Sequence, residues 1–462
     1  MDVNDTIAAI STPMGEGGIG IVRVSGDKAV EIIEKIFRPS PKQKGVDWES
    51  HRLYYGGIVS AFTGQVIDEV LVSVMFAPRT YTREDVVEIN CHGGIVPVRQ
   101  IFIEVTKLGA RIAEPGEFTR RAFLNGRIDL AQAEAVIDVI RAKTDRCLRV
   151  ALQQLEGRLS ESVRAIQADL LGLLARIEAA IDFPDQEIAP PPPAVIRELA
   201  MSIEAALQGL LATADQGKIM REGLQTAIIG KPNVGKSSLL NALLREQRAI
   251  VTAVPGTTRD IIEESVNIQG IPLRIVDTAG IRASGDEVEQ LGIARSAAAI
   301  QAADMILFVL DNATGITEED REIARRIDSK QCLVLINKSD VNPLRLTADA
   351  VQEILPARDV LSISVRTGDG MNALEDWIAA AVFRGDVSGE NDAVVSNVRH
   401  SRALDAALVH IREVISGAEA DVPVDLISID VREAWEKLGE ITGSTVTADV
   451  LDEIFSQFCI GK

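Results

Sequence analysis

The sharpest chemical signature in the chain is Gly230-Lys231-Pro232-Asn233-Val234-Gly235-Lys236-Ser237. The run fits G-x-x-x-x-G-K-[ST], with an apolar strand pattern before it at residues 226–229 and a helical one after it at 238–244. Glycines at these places let main-chain N–H groups wrap phosphate oxygens, and the helix N-terminus adds further donors. Val234, Gly235 and Ser238 belong to that cradle. Lys236 would neutralise the β- and γ-phosphates, and the Ser237 hydroxyl would bind Mg²⁺. A glycine-rich turn that binds nothing is the plainer reading, and the strand-then-helix context weighs against it.

Further stations define the base and the reaction. Asp277-Thr278-Ala279-Gly280 follows a strand pattern at 273–276 and places a carboxylate near the metal. Asn337-Lys338-Ser339-Asp340 follows another at 332–336, and the Asp340 carboxylate can accept from guanine N1–H and N2–H₂. Adenine lacks that donor pair. Ser364-Val365-Arg366 can offer a backbone N–H to the guanine oxygen. In this order, each at a strand end, the stations resemble the small GTPase superfamily. Ile281 stands where Ras-type members carry a water-orienting glutamine, so hydrolysis needs another device. Asn233 and the segment Gly256-Thr257-Thr258-Arg259-Asp260 resemble the potassium-activated subgroup, with Thr258 as second Mg²⁺ ligand. Asn233 as an ordinary turn residue is the alternative.

Those stations need an alternating strand–helix scaffold, and the pattern from 225 to about 381 supplies one. Around it, residues 1–120 read as mixed α and β: strands near 6–10, 19–24, 53–61 and 66–76, and helices near 27–37 and 95–108. From Leu130 to Ile177 apolar residues recur every three or four, a long amphipathic helix broken near Thr144 or Gly157. Pro190–Pro193 forms a stiff connector, and helical patterns follow at 195–212, 403–415 and in the last forty residues. The economical reading is an α/β domain inserted into a helical one.

The bulk numbers agree with a multidomain globular protein: 462 residues, 46% apolar and 25% charged, enough for about three domains. The formal charge of −20 excludes a generic charge-driven nucleic-acid coat. Charge is nearly balanced over residues 1–150, so that third repels a polyanion least. Four cysteines without a C-x-x-C pair argue against a disulfide framework or structural zinc. No leader pattern or continuous apolar run of about 18 residues occurs, which predicts a cytoplasmic protein without a membrane partner.

Outside the nucleotide motifs stand Asp5-Thr6-Ile7-Ala8-Ala9, Gly17-Gly18-Ile19-Gly20-Ile21-Val22-Arg23 and His92-Gly93-Gly94. They continue with Pro115-Gly116-Glu117-Phe118-Thr119-Arg120-Arg121 through Gly126, Ala179-Ala180-Ile181-Asp182-Phe183-Pro184, and the final Phe458-Cys459-Ile460-Gly461-Lys462. In this order the blocks resemble the MnmE (TrmE) family of tRNA-modification GTPases along the whole chain. The resemblance implies an α+β folate-binding-like and dimerisation domain at 1–120, and a discontinuous helical domain at 121–215 and 383–462. Between the two helical parts it implies an inserted α/β Ras-like P-loop GTPase domain at 216–382.

It further implies a homodimer that joins an FAD-containing MnmG-like flavoprotein in a heterotetramer or larger assembly. That assembly places an aminomethyl or carboxymethylaminomethyl group on carbon five of the tRNA wobble uridine. GTP, Mg²⁺, K⁺ and a formyl- or methylene-tetrahydrofolate are the implied small molecules. Arg23, Glu88, Arg127 and Lys462 match the folate contacts; arginine suits a carboxylate and Glu88 suits the pterin donors. The family often has lysine where Arg127 stands, which keeps the charge and changes the donor geometry. Potassium would be held by Asn233 with Thr252, Val254 and Thr257, partly through carbonyls. Glu289 matches the family's catalytic glutamate, acting through water, with a solvated helix face as the plainer alternative; Arg282 is at most positional.

The resemblance also makes Cys459 a participant in uridine chemistry, and its place beside Lys462 suits thiolate formation. A buried thiol packing the last helix is the competing reading. Cys91, Cys147 and Cys332 read as structural, and His92 as a loop hydrogen-bonder. Against the enzyme reading stands a different class, a switch or ribosome-assembly GTPase whose flanking domains only bind partners.

Overall fold

The computed structural model describes residues 5–40, 46–183, 189–246, 265–276, 299–327, 330–343, 345–383 and 393–462. Thr252, Val254, Thr257, Thr258, Asp277, Thr278, Ala279, Gly280, Ile281, Arg282 and Glu289 lie outside them. The described residues divide into two compact units, 5–137 with 436–462, and 138–246 with 265–435. Residues 436–462, which periodicity assigns to the helical domain, thus group with the N-terminal sheet.

The first unit is built on seven strands: β1 (Ile7–Ile10), β2 (Gly20–Ser25), β3 (Phe37–Pro39), β4 (Arg52–Val59), β5 (Val66–Met75), β6 (Val86–Cys91) and β7 (Arg111–Ile112). Their order is β3-β4-β5-β6-β2-β1-β7, antiparallel except for β1 against β7. The period-2 pleat sorts the side chains. Val22, Val24, Val87 and Ile89 turn to one face, where helices Ala29–Ile36 and Ile95–Lys107 cover them. Ala29, Ile32, Ile33 and Ile36 form the buried stripe of the first helix at the spacing a helix requires. Arg23 and Glu88 must then face the opposite side. There Ile7, Ala9 and Phe118 form a smaller cluster with Tyr81.

Helix Glu117–Leu124 closes that side, and its buried face is partly charged. Arg111 and Arg121 both pair with Asp5 and with Glu117, and Arg121 also reaches Glu84 at 3.1 Å. The Arg111 hydrogen bond leads in holding the Asp5 carboxyl below its usual range. Burial pushes Glu117 up, and hydrogen bonds from Arg111, the Glu114 N–H and Arg121 outweigh it, so its carboxyl is also depressed. Carboxylates depressed in the fold stabilise it above their unfolded pKa of about 4, and that contribution is lost as pH falls through the folded values. Urea midpoints should therefore drop as pH falls below about 4. Arg121→Met, which leaves buried carboxylates with fewer partners, should cost about 3–5 kcal/mol at neutral pH. An unchanged urea midpoint for this variant would show the cluster to be incidental.

The last helix of the chain, Ala448–Ser456, also belongs to this unit. Phe455 and Phe458 pack on Leu130, Ala133 and Ile137, with Phe123 beside them.

The second unit carries β8 (Leu224–Ile229), β9 (Ser265–Ile268), β10 (Ile271–Ile275), β11 (Met305–Asp311), β12 (Gln331–Asn337) and β13 (Asp359–Ser362). Their order is β13-β12-β11-β8-β10-β9, parallel apart from the β9–β10 hairpin. Every residue of β11 is buried, as expected of a central parallel strand covered on both faces. One face packs Leu307, Val309 and Leu333 on Leu239, Leu243 and Ile378; the other packs Phe308 and Val334 on Ala324 and Val351.

The long helical pattern, which starts in the first unit at Leu130 and runs on into the second, breaks at both anticipated places. Helices Leu130–Arg141, Asp145–Glu156 and Arg158–Asp182 result. The Thr144 hydroxyl caps the middle one by accepting from Cys147 N at 3.1 Å, and Gly157 takes a left-handed φ of 96° between the last two. Helix Pro193–Leu211 packs along Val398–Glu419, with Arg412 Nε donating to Glu204 at 2.9 Å. No helix among the described residues is long and apolar enough to cross a membrane.

Candidate functional site

The phosphate loop leaves β8 with three backbones in the positive-φ region: Gly230 at 149°, Asn233 at 64° and Gly235 at 106°. Two of the glycines are also required by space. A Cβ on Gly230 would lie 2.4 Å from the Val309 carbonyl oxygen, and one on Gly235 would lie 2.3 Å from Asn337 Nδ2. Lys236 opens helix Lys236–Glu246 with Ser237 next to it. The Lys236 ammonium donates to the Gly230 and Lys231 carbonyls, 2.7 Å each, and its burial lowers its pKa. An ammonium that has lost water and, among the described residues, donates to two carbonyl oxygens gains much from an incoming phosphate.

The base-reading station braces that loop. Asn337 Nδ2 donates to the Val234 carbonyl at 2.8 Å, and Lys338 Nζ reaches the Asn233 carbonyl at 3.0 Å and Asp311 Oδ2 at 2.7 Å. Asp340 Oδ1 accepts from Ser364 Oγ at 2.7 Å, and Arg366 Nη2 lies 2.8 Å from Asp340 Oδ2. These contacts, Ser364 first, hold the Asp340 carboxyl below its usual range, so it stays an acceptor. The Val365 N–H donates to Asn337 Oδ1 and the Ser364 N–H to the Asp369 carbonyl. Of the three N–H groups expected to serve the guanine oxygen, these two are already engaged within the fold.

Motif reasoning missed Lys231. Its ammonium is buried on Asp320 Oδ2 at 3.0 Å and on Thr317 Oγ1 at 3.3 Å, tying the loop to helix Glu318–Ala324. A variable position inside the motif carries no signal for this. Only the capping pattern Thr317…Asp320 hints at a fixed carboxylate there.

The other predicted cluster lies on the first unit. Strand register puts Arg23 directly opposite Glu88, and Arg23 Nε and Nη2 both stand 2.8 Å from Glu88 Oε1. The guanidinium carbon stands 5.9 and 5.7 Å from the ring centroids of Tyr81 and Phe118. Arg127 stacks on the same tyrosine at 4.7 Å and donates to its carbonyl at 3.0 Å. The chain's end arrives there too: Arg23 Nη1 donates to the Gly461 carbonyl at 3.0 Å. Lys462 is half-buried, and burial and then the nearby Arg23 lower its pKa. Arg23, Glu88 and Lys462 are therefore brought together, and Arg127 joins them through Tyr81. Sequence reasoning did not single out Tyr81 or Phe118.

Cys459 is exposed, which overturns the buried-thiol reading; Phe455 and Phe458 do the packing expected of it. Cys91, Cys147 and Cys332 are buried, with burial pushing the Cys91 thiol to about 11 and Cys332 to about 12. His92 Nδ1 sits 2.7 Å from Asp68 Oδ1, a loop hydrogen bond that raises its pKa.

A parallel sheet whose strand ends present this phosphate loop, Asn337-Lys338 and an acceptor Asp340 defines a P-loop GTPase. The flanking segments narrow it further. A family model described as the MnmE helical domain matches residues 130–459, and one described as the GTP-binding protein TrmE N-terminus matches 6–127. The chain belongs to the MnmE family. Relatives named tRNA modification GTPase MnmE include that of Geobacillus kaustophilus, 52% identical over 459 residues and 99% of both chains. The Alkaliphilus oremlandii protein is 51% identical over 100% of both, and the Bacillus subtilis protein 50% identical over 99% of this chain and 100% of its own.

Proposed function

We propose that this chain is a potassium-activated GTPase that works with an FAD-containing MnmG-like flavoprotein on tRNA. The pair adds an aminomethyl or carboxymethylaminomethyl group to carbon five of the wobble uridine. The observation that carries this reading is the meeting of Arg23, Glu88 and Lys462 with the exposed Cys459 tail on one sheet face. A bound tetrahydrofolate derivative would supply the one-carbon unit. The residues fit such a ligand: Glu88 offers acceptor oxygens, Arg127 and Lys462 offer cations, and Tyr81 offers an aromatic surface. Cys459 takes part in the uridine chemistry as a nucleophile or proton-transfer group. Calorimetry with formyl-tetrahydrofolate tests this: Glu88→Gln or Arg127→Ala should each weaken binding about tenfold, with GTP affinity unchanged. A wild-type chain that binds no folate would put the switch-GTPase reading ahead.

In the GTPase domain, Lys236 and the loop N–H groups would hold the phosphates, and Ser237 and Thr258 would hold Mg²⁺ with the Asp277 carboxylate near it. Asp340 reads guanine, and the Arg366 N–H serves the guanine oxygen. Asn233 with Thr252, Val254 and Thr257 would hold potassium, which would supply the positive charge an arginine finger otherwise brings, and Glu289 would order the attacking water. The homodimer would form through residues 1–120, and its two GTPase domains would meet across their switch loops when K⁺ and GTP are present. Hydrolysis in KCl should exceed that in NaCl by about tenfold or more at equal ionic strength. Asn233→Lys should abolish that preference; unchanged cation selectivity in the variant would refute the assignment.

A further inference from the structure

We propose that Arg23 is a clasp, a positioning residue that assembles the site by holding the C-terminal tail through the Gly461 carbonyl while it fixes Glu88. The functional meaning of the clasp rests on the folate reading; the clasp itself rests on geometry alone.

Arg23 spends its donors on protein partners. Nε and Nη2 engage Glu88, and Nη1 engages the Gly461 carbonyl, a residue 438 positions away in sequence. The guanidinium also lies within cation–π reach of the Tyr81 and Phe118 rings. Arginine's rigid fork can serve two directions at once, which a lysine ammonium on a flexible stem cannot do with the same geometry. One N–H remains on each terminal nitrogen for a ligand, so the clasp and a ligand contact are compatible.

The tail is shaped to be held. Gly461 is buried with φ at 93°, a backbone that side chains other than glycine rarely take, and a Cβ there would come within 2.8 Å of the Ile10 carbonyl oxygen. Ser11 Oγ donates to the same Gly461 carbonyl at 3.4 Å, a weaker second hold. One turn earlier, the Gly116 N–H donates to the Cys459 carbonyl at 3.4 Å. Gly116 has its own left-handed φ of 69°, and a Cβ on it would strike the Phe455 carbonyl at 2.7 Å. Two glycines with no room for a side chain, and one arginine, thus fix both ends of the Cys459–Lys462 segment. The result sets the exposed thiol of Cys459 before Arg23's contact in the chain and the half-buried ammonium of Lys462 after it, with Lys462 close to Arg23 and Glu88.

The test attaches a nitroxide spin label to Cys459 in the full-length chain, where Cys91, Cys147 and Cys332 are buried and spared. The wild-type spectrum should be that of an immobilised label. In Gly461→Ala and in Arg23→Gln the label's rotational correlation time should fall about tenfold, the difference between a docked segment and a free terminus. If Arg23→Gln proves unstable, Gly461→Ala carries the test alone, its folding certified by a wild-type far-UV circular dichroism spectrum and urea unfolding curve. A label as immobile in both variants as in wild type overturns the clasp. Formyl-tetrahydrofolate titration of the same unlabelled proteins separates the two ideas. If the label is released but wild type binds no folate, the folate reading fails and the clasp stands.

Discussion

Asp340→Asn should lower GTP affinity about a hundredfold and raise the affinity for xanthosine triphosphate by a similar factor. A carboxylate accepts from guanine N1–H and N2–H₂ together. Xanthine carries a carbonyl oxygen where guanine carries N2, and an asparagine amide can donate to that oxygen while still accepting from N1–H. The scaffold around the side chain survives the change. Ser364 Oγ, 2.7 Å from Asp340 Oδ1, can donate to the asparagine oxygen as well as to the aspartate. Arg366 loses an ion pair, but its side chain is 80% exposed and returns to water. Competition binding with both triphosphates reads the result. GTP affinity within about threefold of wild type would mean that the base is read elsewhere.

Cys459→Ser should separate the two activities. Uridine modification should fall more than about a hundredfold, because a seryl hydroxyl does not ionise near neutral pH and is a far weaker nucleophile than a thiolate. Hydrolysis of GTP should stay within about twofold, since the nucleotide site is built from residues 230–366 and the tail contributes none of them. No packing is lost, because Cys459 is exposed and Phe455 and Phe458 anchor the last helix. A variant that loses hydrolysis as well would show that the tail supports the GTPase fold rather than uridine chemistry.

What the sequence made legible follows from the range of the interactions. The phosphate loop and Asn337-Lys338-Ser339-Asp340 are local, each a turn fixed to the strand before it, and residue types alone reveal the chemistry. Strands β8, β10 and β12 were equally plain, because burial on both faces demands continuous apolar runs; β11 was covered only by the general alternation of strand and helix. The Arg23–Glu88 pair is a cross-strand register contact, and the Arg23–Gly461 bond spans almost the whole chain; periodicity holds no trace of either. The family resemblance supplied those residues. Helix Glu117–Leu124 escaped the pattern because Glu117 and Arg121 occupy its buried face, where an amphipathic reading expects apolar residues. Cys459 was ambiguous for the converse reason: two phenylalanines within four residues suggested a packed end, yet the Cys459 side chain is exposed while Gly461 beyond it is buried. The two breaks at Thr144 and Gly157 looked like alternatives because either one suffices to end a helix, by a cap or by a left-handed glycine.

The central claim, that the Arg23–Glu88–Lys462 cluster and the Cys459 tail make this GTPase a uridine-modifying enzyme, is tested most directly by nucleoside mass spectrometry. The tRNA would come from cells lacking their own homologue and expressing either this chain or its Cys459→Ser variant at matched levels. The wild-type chain should restore the carbon-five modification of the wobble uridine and the variant should not. Restoration by neither protein, with both folded and hydrolysing GTP, would contradict the account.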